Sequence, residues 1–325
     1  MRKNIAVIMG GYSSEREISL KSGQVAQKYL EAAGYRVYPV DINTDDWVYL
    51  SPEGKQVPVN RGDFSLQLEA QLIHFDCVFN AIHGTPGEDG LIQAYFELLG
   101  IPQTSCDSYT AALTFNKRDL LSVLRRYGIL SAPSFAINKG DDYDLDSIIE
   151  QVGLPCFVKA NRAGSSFGIS KVYEKENLPE AIDLSFKEDN QVLIEAFLDG
   201  TEVSVGVIEY EGKPRVLPMT EIVSENDFFD YAAKYEGKSQ EITPARIPDD
   251  LRLKIEKLAD RIYRLLQAQG FCRSEFIIVD DTPYLLEVNT TPGLTEESLL
   301  PQQARCAGIS LEDLFSSAVE NAMGK

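Results

Sequence analysis

Three oxygen-bearing side chains near the C-terminal end of the chain, Glu275, Glu287 and Asn289, are spaced so that one surface could carry all of them. Glu275 precedes an apolar run, Phe276-Ile277-Ile278-Val279. The cluster Asp280-Asp281-Thr282-Pro283 comes next, then Tyr284-Leu285-Leu286-Glu287-Val288-Asn289. Two strand-like runs around a turn cluster predict a β-hairpin. Side chains alternate along a strand, so Glu287 and Asn289 share a face. Glu275 joins them only if the hairpin pairs it opposite one of the two. Parity therefore demands a loop of three or five residues, or a bulge; a plain four-residue loop would set Glu275 against Val288. Two carboxylates and an amide oxygen flanked by Ile and Leu suit a hard cation that also binds phosphate oxygens, the habit of Mg²⁺. The competing reading is an exposed hairpin with ordinary surface acids.

Phosphate partners for such a site need basic groups, and two stretches offer them. The strand-like run Pro155 to Lys159 ends in a lysine, and the loop Ala160-Asn161-Arg162-Ala163-Gly164-Ser165-Ser166-Phe167-Gly168 turns into a second strand, Ile169 to Tyr173. This is no Walker A motif, since the G-x-x-x-x-G-K-[ST] spacing is absent and no helix follows. A Gly/Ser hairpin tip can still present backbone N–H groups to phosphates, with Lys159 as a point charge. Gly/Ser turns also merely connect strands. Residues 108 to 127 read as helices carrying Lys117, which alone would be a solvated lysine. Glu195 lies inside a strand at Val192 to Leu198. The polar stretch Ser224 to Arg246, with Tyr231, Lys234 and Tyr235, is long enough for a lid or binding loop.

These groups must be positioned by the rest of the chain. Residues 4 to 9 predict a buried strand, and Ser14 with Glu17 has capping-box spacing for a helix running to about Ala33. A strand at Tyr35 to Val40 closes a βαβ unit, placing the N-terminal region in the α/β class with an open parallel sheet. Glu15 sits where a strand feeds a helix, the usual ligand position in such sheets. A second strand, Asp76 to Ile82, ends in His83-Gly84-Thr85-Pro86-Gly87-Glu88-Asp89-Gly90 before a helix at Leu91 to Leu99. His83 there terminates a strand at the sheet's carboxyl end. Residues 44 to 70 carry no strong pattern and read as a peripheral insertion. Strands at 133–137, 202–210 and 215–223, and helices at 144–152, 249–269, 295–307 and 310–323, complete the expectation.

Composition limits the function. The 325 residues suffice for two or three domains. A net charge of −19 argues against a broad nucleic-acid or membrane-surface role, so the useful basic residues are few and individually placed. No apolar run reaches the length of a membrane span. The N-terminal residues lack the apolar core of a signal peptide, which implies a cytoplasmic location. Five cysteines stand far apart without a C-x-x-C pair, and two histidines exclude a histidine-rich metal centre.

A lysine-bearing Gly/Ser loop, an acidic hairpin ending in Glu-x-Asn and a long polar loop together resemble the ATP-grasp superfamily. In its members, two α+β lobes hold ATP between them. Gly-Gly-x-Ser-Ser-Glu-Arg-Glu-x-Ser from Gly10, His-Gly-x-x-Gly-Glu-Asp-Gly from His83 and Glu-Val-Asn-Thr-Thr-Pro-Gly-Leu-Thr from Glu287 narrow this to a resemblance to the D-alanine–D-alanine ligase family, over nearly the whole chain. The resemblance implies an N-terminal substrate-binding domain at 1–105, a central lobe at 106–192 and a C-terminal lobe at 193–325 with a lid at 224–246. It further implies that Glu275, Glu287 and Asn289 hold two Mg²⁺ ions, with Mn²⁺ as a substitute. Lys117, Lys159 and Lys234 would contact phosphates, with the loop around Ser166 and Gly168. Glu195 and Glu202 would take adenine and ribose. Glu15 would bind the ammonium of the first D-alanine, with His83 beside it and Arg273 on its carboxylate. Gly293, Ser298 and Leu299 would receive the second D-alanine, and Ser165 with Tyr235 would link to Glu15. The product would be D-alanyl-D-alanine for peptidoglycan synthesis, made by a homodimer.

The chain departs from the common family pattern at Ala160, Phe115-Asn116, Ala196 and Glu275. The last replaces a frequent aspartate with a longer carboxylate of the same charge. Ala196 removes a cation near the nucleotide. These changes bear on ATP affinity rather than on the reaction.

Overall fold

The structure is a computed structural model that describes residues 2–164, 168–224 and 239–324. Strand β1 (Asn4–Gly10) runs parallel to β2 (Arg36–Ile42) on one side and to a strand at Cys77–Asn80 on the other. Helix α1 (Arg16–Ala32) connects the first two. Ile5, Val7 and Met9 of β1 pack towards α1, while Ala6 and Ile8 face an aromatic cluster on the other side. A strand covered on both faces needs a continuous apolar run, which is why 5–9 shows no alternation. Ser14 does not cap α1. The N-cap is Glu15, whose side chain makes no capping bond to the helix.

The parallel centre is as expected, but residues 44–70 are not a patternless insertion. Strands β3 (Trp47–Leu50), β4 (Gln56–Asn60), β5 (Ser65–Leu68) and β6 (Gln71–Ile73) extend the sheet antiparallel from β2. With β7 (Cys77–Asn80) the order is β6-β5-β4-β3-β2-β1-β7. Strands this short give too few alternations to register in a sequence. The chain moves out from β1 to β2 and returns to β7 on the far side of β1, so the loops 10–15 and 81–90 meet at the sheet's switch point. There Tyr12 N–H donates to the Thr85 carbonyl at 2.8 Å. Helix α2 (Leu91–Leu99) follows.

Helices α3 (Ser108–Phe115) and α4 (Lys117–Arg125) lead to a four-stranded antiparallel sheet of β8 (Ser134–Asn138), β9 (Cys156–Ala160), β10 (Ser170–Val172) and β11 (Gln191–Ala196), ordered β10-β9-β11-β8. Helices α5 (Leu145–Val152) and α6 (Leu178–Ser185) cover the face bearing Cys156, Val158, Val192 and Ile194. Lys159 pairs with Leu193 and Phe157 with Glu195, so Lys159 and Glu195 share the opposite face, where Leu193 packs in the same core as α4.

The third sheet holds β12 (Thr201–Tyr210), β13 (Lys213–Val216), β14 (Thr220–Ser224), β15 (Ser239–Ile242), β16 (Phe271–Val279) and β17 (Thr282–Asn289). Its order is β15-β14-β12-β16-β17, with β13 beside β12. Helix α7 (Asp249–Leu265), together with α4, buries Val203, Val205 and Val207 on one face. Helices α8 (Leu299–Cys306) and α9 (Leu311–Met323) share a core with α1 and β1.

The β16–β17 hairpin turns on two residues, Asp280 and Asp281, with φ of 46° and 57°. Thr282 and Pro283 belong to the strand, where proline is tolerated because β17 is at the sheet's edge. From Val279–Thr282 to Phe276–Leu285 the pairing is regular, which alone would set Glu275 against Leu286. The register shifts between Glu275 and Phe276, and Glu275 comes to lie opposite Glu287. The bulge supplies the parity that the acidic triplet needs. Because both turn residues are left-handed, Asp281→Gly should stabilise the protein by about 0.5–1 kcal/mol and Asp281→Val should destabilise it. Urea unfolding midpoints measure the difference.

Candidate active site

Arg273 pairs with Asn289 and Glu275 with Glu287, so these four side chains project from one face of the third sheet. Glu275 is 5% exposed, which removes the reading of the hairpin acids as surface decoration. An Arg273 Nη2–Glu275 Oε1 ion pair of 2.7 Å neutralises one acid. Lys117 neutralises the other, with Nζ 3.2 Å from Glu287 Oε2. Lys117 is not a solvated lysine; it is buried and also donates to the Ala163 carbonyl at 2.7 Å. Its place follows from Asn116, whose side chain accepts the Asp119 N–H and so starts α4 there. Asn161, 1% exposed, then clips the helix end to the central sheet: it donates to Asn116 Oδ1 at 2.7 Å and accepts from Arg118 N–H at 2.8 Å.

Lys159 forms a buried ion pair with Glu195. Burial alone would lower the lysine pKa, but Glu195, Glu287 and Glu275 outweigh it and raise the value, so Lys159 stays cationic. Glu287 and Glu275 are thus near enough to Lys159 to act on its charge, which couples this face of the central sheet to the acidic hairpin. Glu195 Oε1 is buried and has no hydrogen-bond partner among the described residues, an acceptor that an amino group would satisfy. Among the described residues no three His, Cys, Asp or Glu side chains cluster as a metal cage. Two carboxylates and an amide instead suit a cation whose remaining ligands are phosphate oxygens and water, and the donor set fits Mg²⁺ on that basis. Asn289 Oδ1 meanwhile accepts the Thr291 N–H at 2.9 Å.

The switch-point loops supply a second cluster. Glu15 is buried, and a Cβ built at Gly164 would stand 2.7 Å from both of its carboxylate oxygens. The glycine thus lets the central lobe's loop close onto Glu15. A cleft of about 370 Å³ opens beside it, lined by Ser13, Glu15, Gly84, Arg162, Gly164 and Glu188. A smaller cavity of about 30 Å³ lies between Glu88, Lys117, Gly164, Glu287 and Asn289, joining the loop, lysine and hairpin groups. Glu88 was legible only as a letter of the His83 loop motif. Its carboxyl is held well above the usual range by burial and by the nearby charge of Glu15, while accepting the Gly84 N–H at 3.0 Å.

His83 is placed differently from a free acid–base group. Nδ1 lies 2.9 Å from the Thr291 carbonyl, which can only accept, so Nδ1 carries the proton. Nε2 then accepts from Ser22 Oγ at 2.8 Å. Burial lowers the imidazole pKa to about 4, with Arg273 adding to the shift, so the ring is neutral near pH 7. It pins the N-terminal sheet to the loop after β17.

That loop leads to α8. Ser298 is the N-cap, with Oγ 2.8 Å from Thr295 Oγ1, and Leu299 is the first helical residue. A helix N-terminus with free N–H groups is suited to a carboxylate. A Cβ at Gly293 would approach Ser298 Oγ to 2.8 Å, so glycine permits this turn. Glu202 lies opposite Ile277 on β16, on the same face as Glu275. Gly168 has φ of +68° and its carbonyl accepts from Ser185 Oγ at 2.7 Å. The structure therefore brings Glu15, Lys117, Lys159, Glu195, Arg273, Glu275, Glu287 and Asn289 around the space between the lobes. Ser165, Ser166, Tyr231, Lys234 and Tyr235 lie outside the described residues.

Comparison with known proteins agrees in range and order. The family models described as "D-ala D-ala ligase N-terminus" and "D-ala D-ala ligase C-terminus" match residues 4–106 and 123–320. A D-alanine–D-alanine ligase of Flavobacterium johnsoniae is 63% identical over 318 residues, 98% of each chain. The VanG D-Ala:D-Ser ligase from Enterococcus faecalis superposes with a TM-score of 0.86 at 31% identity, over 99% of this chain and 100% of that one. The D-alanine–D-alanine ligase from Bacillus anthracis complexed with ATP gives 0.79 at 27% identity, over 99% and 98%.

Two outcomes follow from the geometry. Gly164→Ala should raise the KM of whatever ligand Glu15 holds about tenfold or more while leaving the thermal midpoint within a few degrees, read by steady-state kinetics and calorimetry. The folded-state pKa of His83 lies below its unfolded value of 6.5, so the unfolded chain binds its proton first. The stability associated with its neutral burial is complete above pH 6.5 and is lost as pH falls towards 4. His83→Gln should flatten that part of the stability–pH profile.

Proposed function

The chain belongs to the D-alanine–D-alanine ligase family, and from that premise we propose how its residues divide the work. It is an ATP-dependent ligase that joins two D-alanines into D-alanyl-D-alanine for peptidoglycan synthesis. The observation that carries the assignment of roles is the buried acidic face of β16–β17 set against Lys117 and Lys159. That arrangement suits a polyphosphate: acids to hold hard cations, lysines to hold the phosphate oxygens directly.

Glu275, Glu287 and Asn289 would hold Mg²⁺, two ions in this reading, with Mn²⁺ acceptable to the same donors. The bound cation would neutralise charge on the phosphates during transfer. Adenine would use Glu195 and ribose Glu202, with Lys234, Ser166 and Gly168 closing over the phosphates. Glu15 fits the ammonium of the first D-alanine, and Arg273 fits its carboxylate. A carboxylate is a poor electrophile, so it first attacks the γ-phosphate to give D-alanyl phosphate and ADP. Lys117 and Lys159 position the transferred group and spread its charge. Closure of Ser165 and Tyr235 towards Glu15 would keep water from the acyl phosphate.

The second D-alanine would bind its carboxylate at Ser298 and Leu299 beside Gly293. Its neutral amine attacks the acyl carbon, and Arg273 with backbone N–H groups stabilises the oxyanion before phosphate leaves. His83 is engaged at both ring nitrogens in this arrangement, which favours a positioning role over proton transfer. In the same reading the division at 1–105, 106–192 and 193–325 marks the functional units, except that β11 (Gln191–Ala196) belongs whole to the central sheet, so the second boundary falls after it, and α3 and α4 pack on the third. The enzyme is cytoplasmic and a homodimer. Among the described residues no helix is long and apolar enough to cross a membrane.

Release of ADP and phosphate with D-alanine tests the reading, with D-serine, D-lactate and L-alanine as parallel arms. Strong release with D-alanine supports it, and little release with D-alanine alone contradicts it. Glu287→Gln removes the charge that meets Lys117 while keeping the shape. Turnover should fall about a hundredfold or more with an unchanged circular dichroism spectrum; unchanged turnover would count against the metal and phosphate assignments.

A further inference from the structure

Strand β15 pairs with β14 so that Glu241 lies opposite Ile222, which lies opposite Glu202 on β12. Glu202 in turn pairs with Ile277, two residues from Glu275. Glu241 therefore projects from the same face of the sheet as Arg273 and Glu275, at its far edge. Helix α8 lies over that face: Gln303 donates to the Ser204 carbonyl at 2.9 Å and to Thr220 Oγ1 at 3.0 Å. Its neighbour Gln302 makes a different pair of bonds. One Nε2 hydrogen goes to Glu241 Oε2 at 2.8 Å and the other to the Glu297 carbonyl at 2.6 Å.

We propose that Glu241, acting through Gln302, positions the subsite for the second D-alanine; the inference rests on the function given above. The amide nitrogen of a glutamine has two hydrogens, and with both committed its orientation is fixed. Gln302 holds the carbonyl of Glu297, the residue immediately before the N-cap Ser298, while its own N–H donates to the Ser298 carbonyl at 3.1 Å. The peptide groups that would meet the second carboxylate are thus set by a side chain whose other anchor is on β15. A carboxylate acceptor makes this a charge-assisted bond, stronger than a neutral one. Gln303 docks the body of α8 on the sheet, and Gln302 docks its first turn. The two roles are separable by mutation.

The chain has two D-alanine sites, so initial rates against D-alanine concentration yield two Michaelis constants. Glu241→Ala and Gln302→Ala should each raise the constant for the second D-alanine about tenfold, with those for the first D-alanine and for ATP within twofold. Glu241→Gln keeps an oxygen acceptor for Gln302 and should recover most of the loss. Gln303→Leu, which undocks α8 instead, should lower the thermal midpoint without that selective split. The inference is overturned if both D-alanine constants rise together, if kcat alone falls, or if the second constant does not move in Glu241→Ala or Gln302→Ala. Should Glu241→Ala not fold, Gln302→Ala and Glu241→Gln carry the same comparison. A wild-type chain that releases no ADP with D-alanine overturns the function as well, which separates the two failures.

Discussion

Lys117 and Glu287 meet 3.2 Å apart in a region where neither side chain is well exposed to water, and the rest of the site depends on that meeting. A charge withdrawn from solvent must be paired or it will neutralise. Here the pairing joins an element at the start of α4 to the last strand of a different sheet. Arg273 with Glu275 and Lys159 with Glu195 repeat the solution nearby. Such pairs contribute little net stability after desolvation, so their value lies in what they hold ready. In the ligase reading, the cations exchange part of their interaction with carboxylates for phosphate oxygens, and the acids turn to cations that arrive with the nucleotide.

Glu275 and Glu287 share one face only because β16 and β17 are out of regular register. A two-residue turn fixes the hairpin, and by itself it would send Glu275 to the opposite face from Glu287. The bulge between Glu275 and Phe276 corrects this at the position where the chemistry begins. Bulges beside active sites re-aim side chains in this way. Side-chain parity in the sequence demands an odd loop or a bulge and does not decide between them, because Thr282-Pro283 resembles turn composition while an edge strand accepts it.

Other features divide along the same line. The buried strands β1, β9 and β11, the helix at Leu91–Leu99 and the strand-end placement of Glu15 and His83 were legible from apolar runs and glycine punctuation. Strands β3 to β6 were not, being too short to show a period. Ser14 has capping-box spacing with Glu17, yet the cap is Glu15, because the chain at Ser13 bonds to the facing loop instead. Lys117 looked solvated because burial between two lobes leaves no local mark. The raised carboxyl of Glu88 and the Glu241–Gln302 bond are hidden for a related reason: the Glu15 charge beside Glu88 and the partner of Gln302 are distant in sequence, so only the assembled fold brings them together. The neutral, doubly bonded state of His83 is likewise a property of its packing against Ser22 and Thr291.

On the proposed function, the acids of the hairpin and the lysines near them activate a carboxylate by phosphoryl transfer. Turnover of ATP with D-alanine labelled with oxygen-18 in its carboxylate tests it most directly. One labelled oxygen is expected in the released phosphate per dipeptide formed, seen by phosphorus NMR or mass spectrometry. Dipeptide formation with unlabelled phosphate would contradict it.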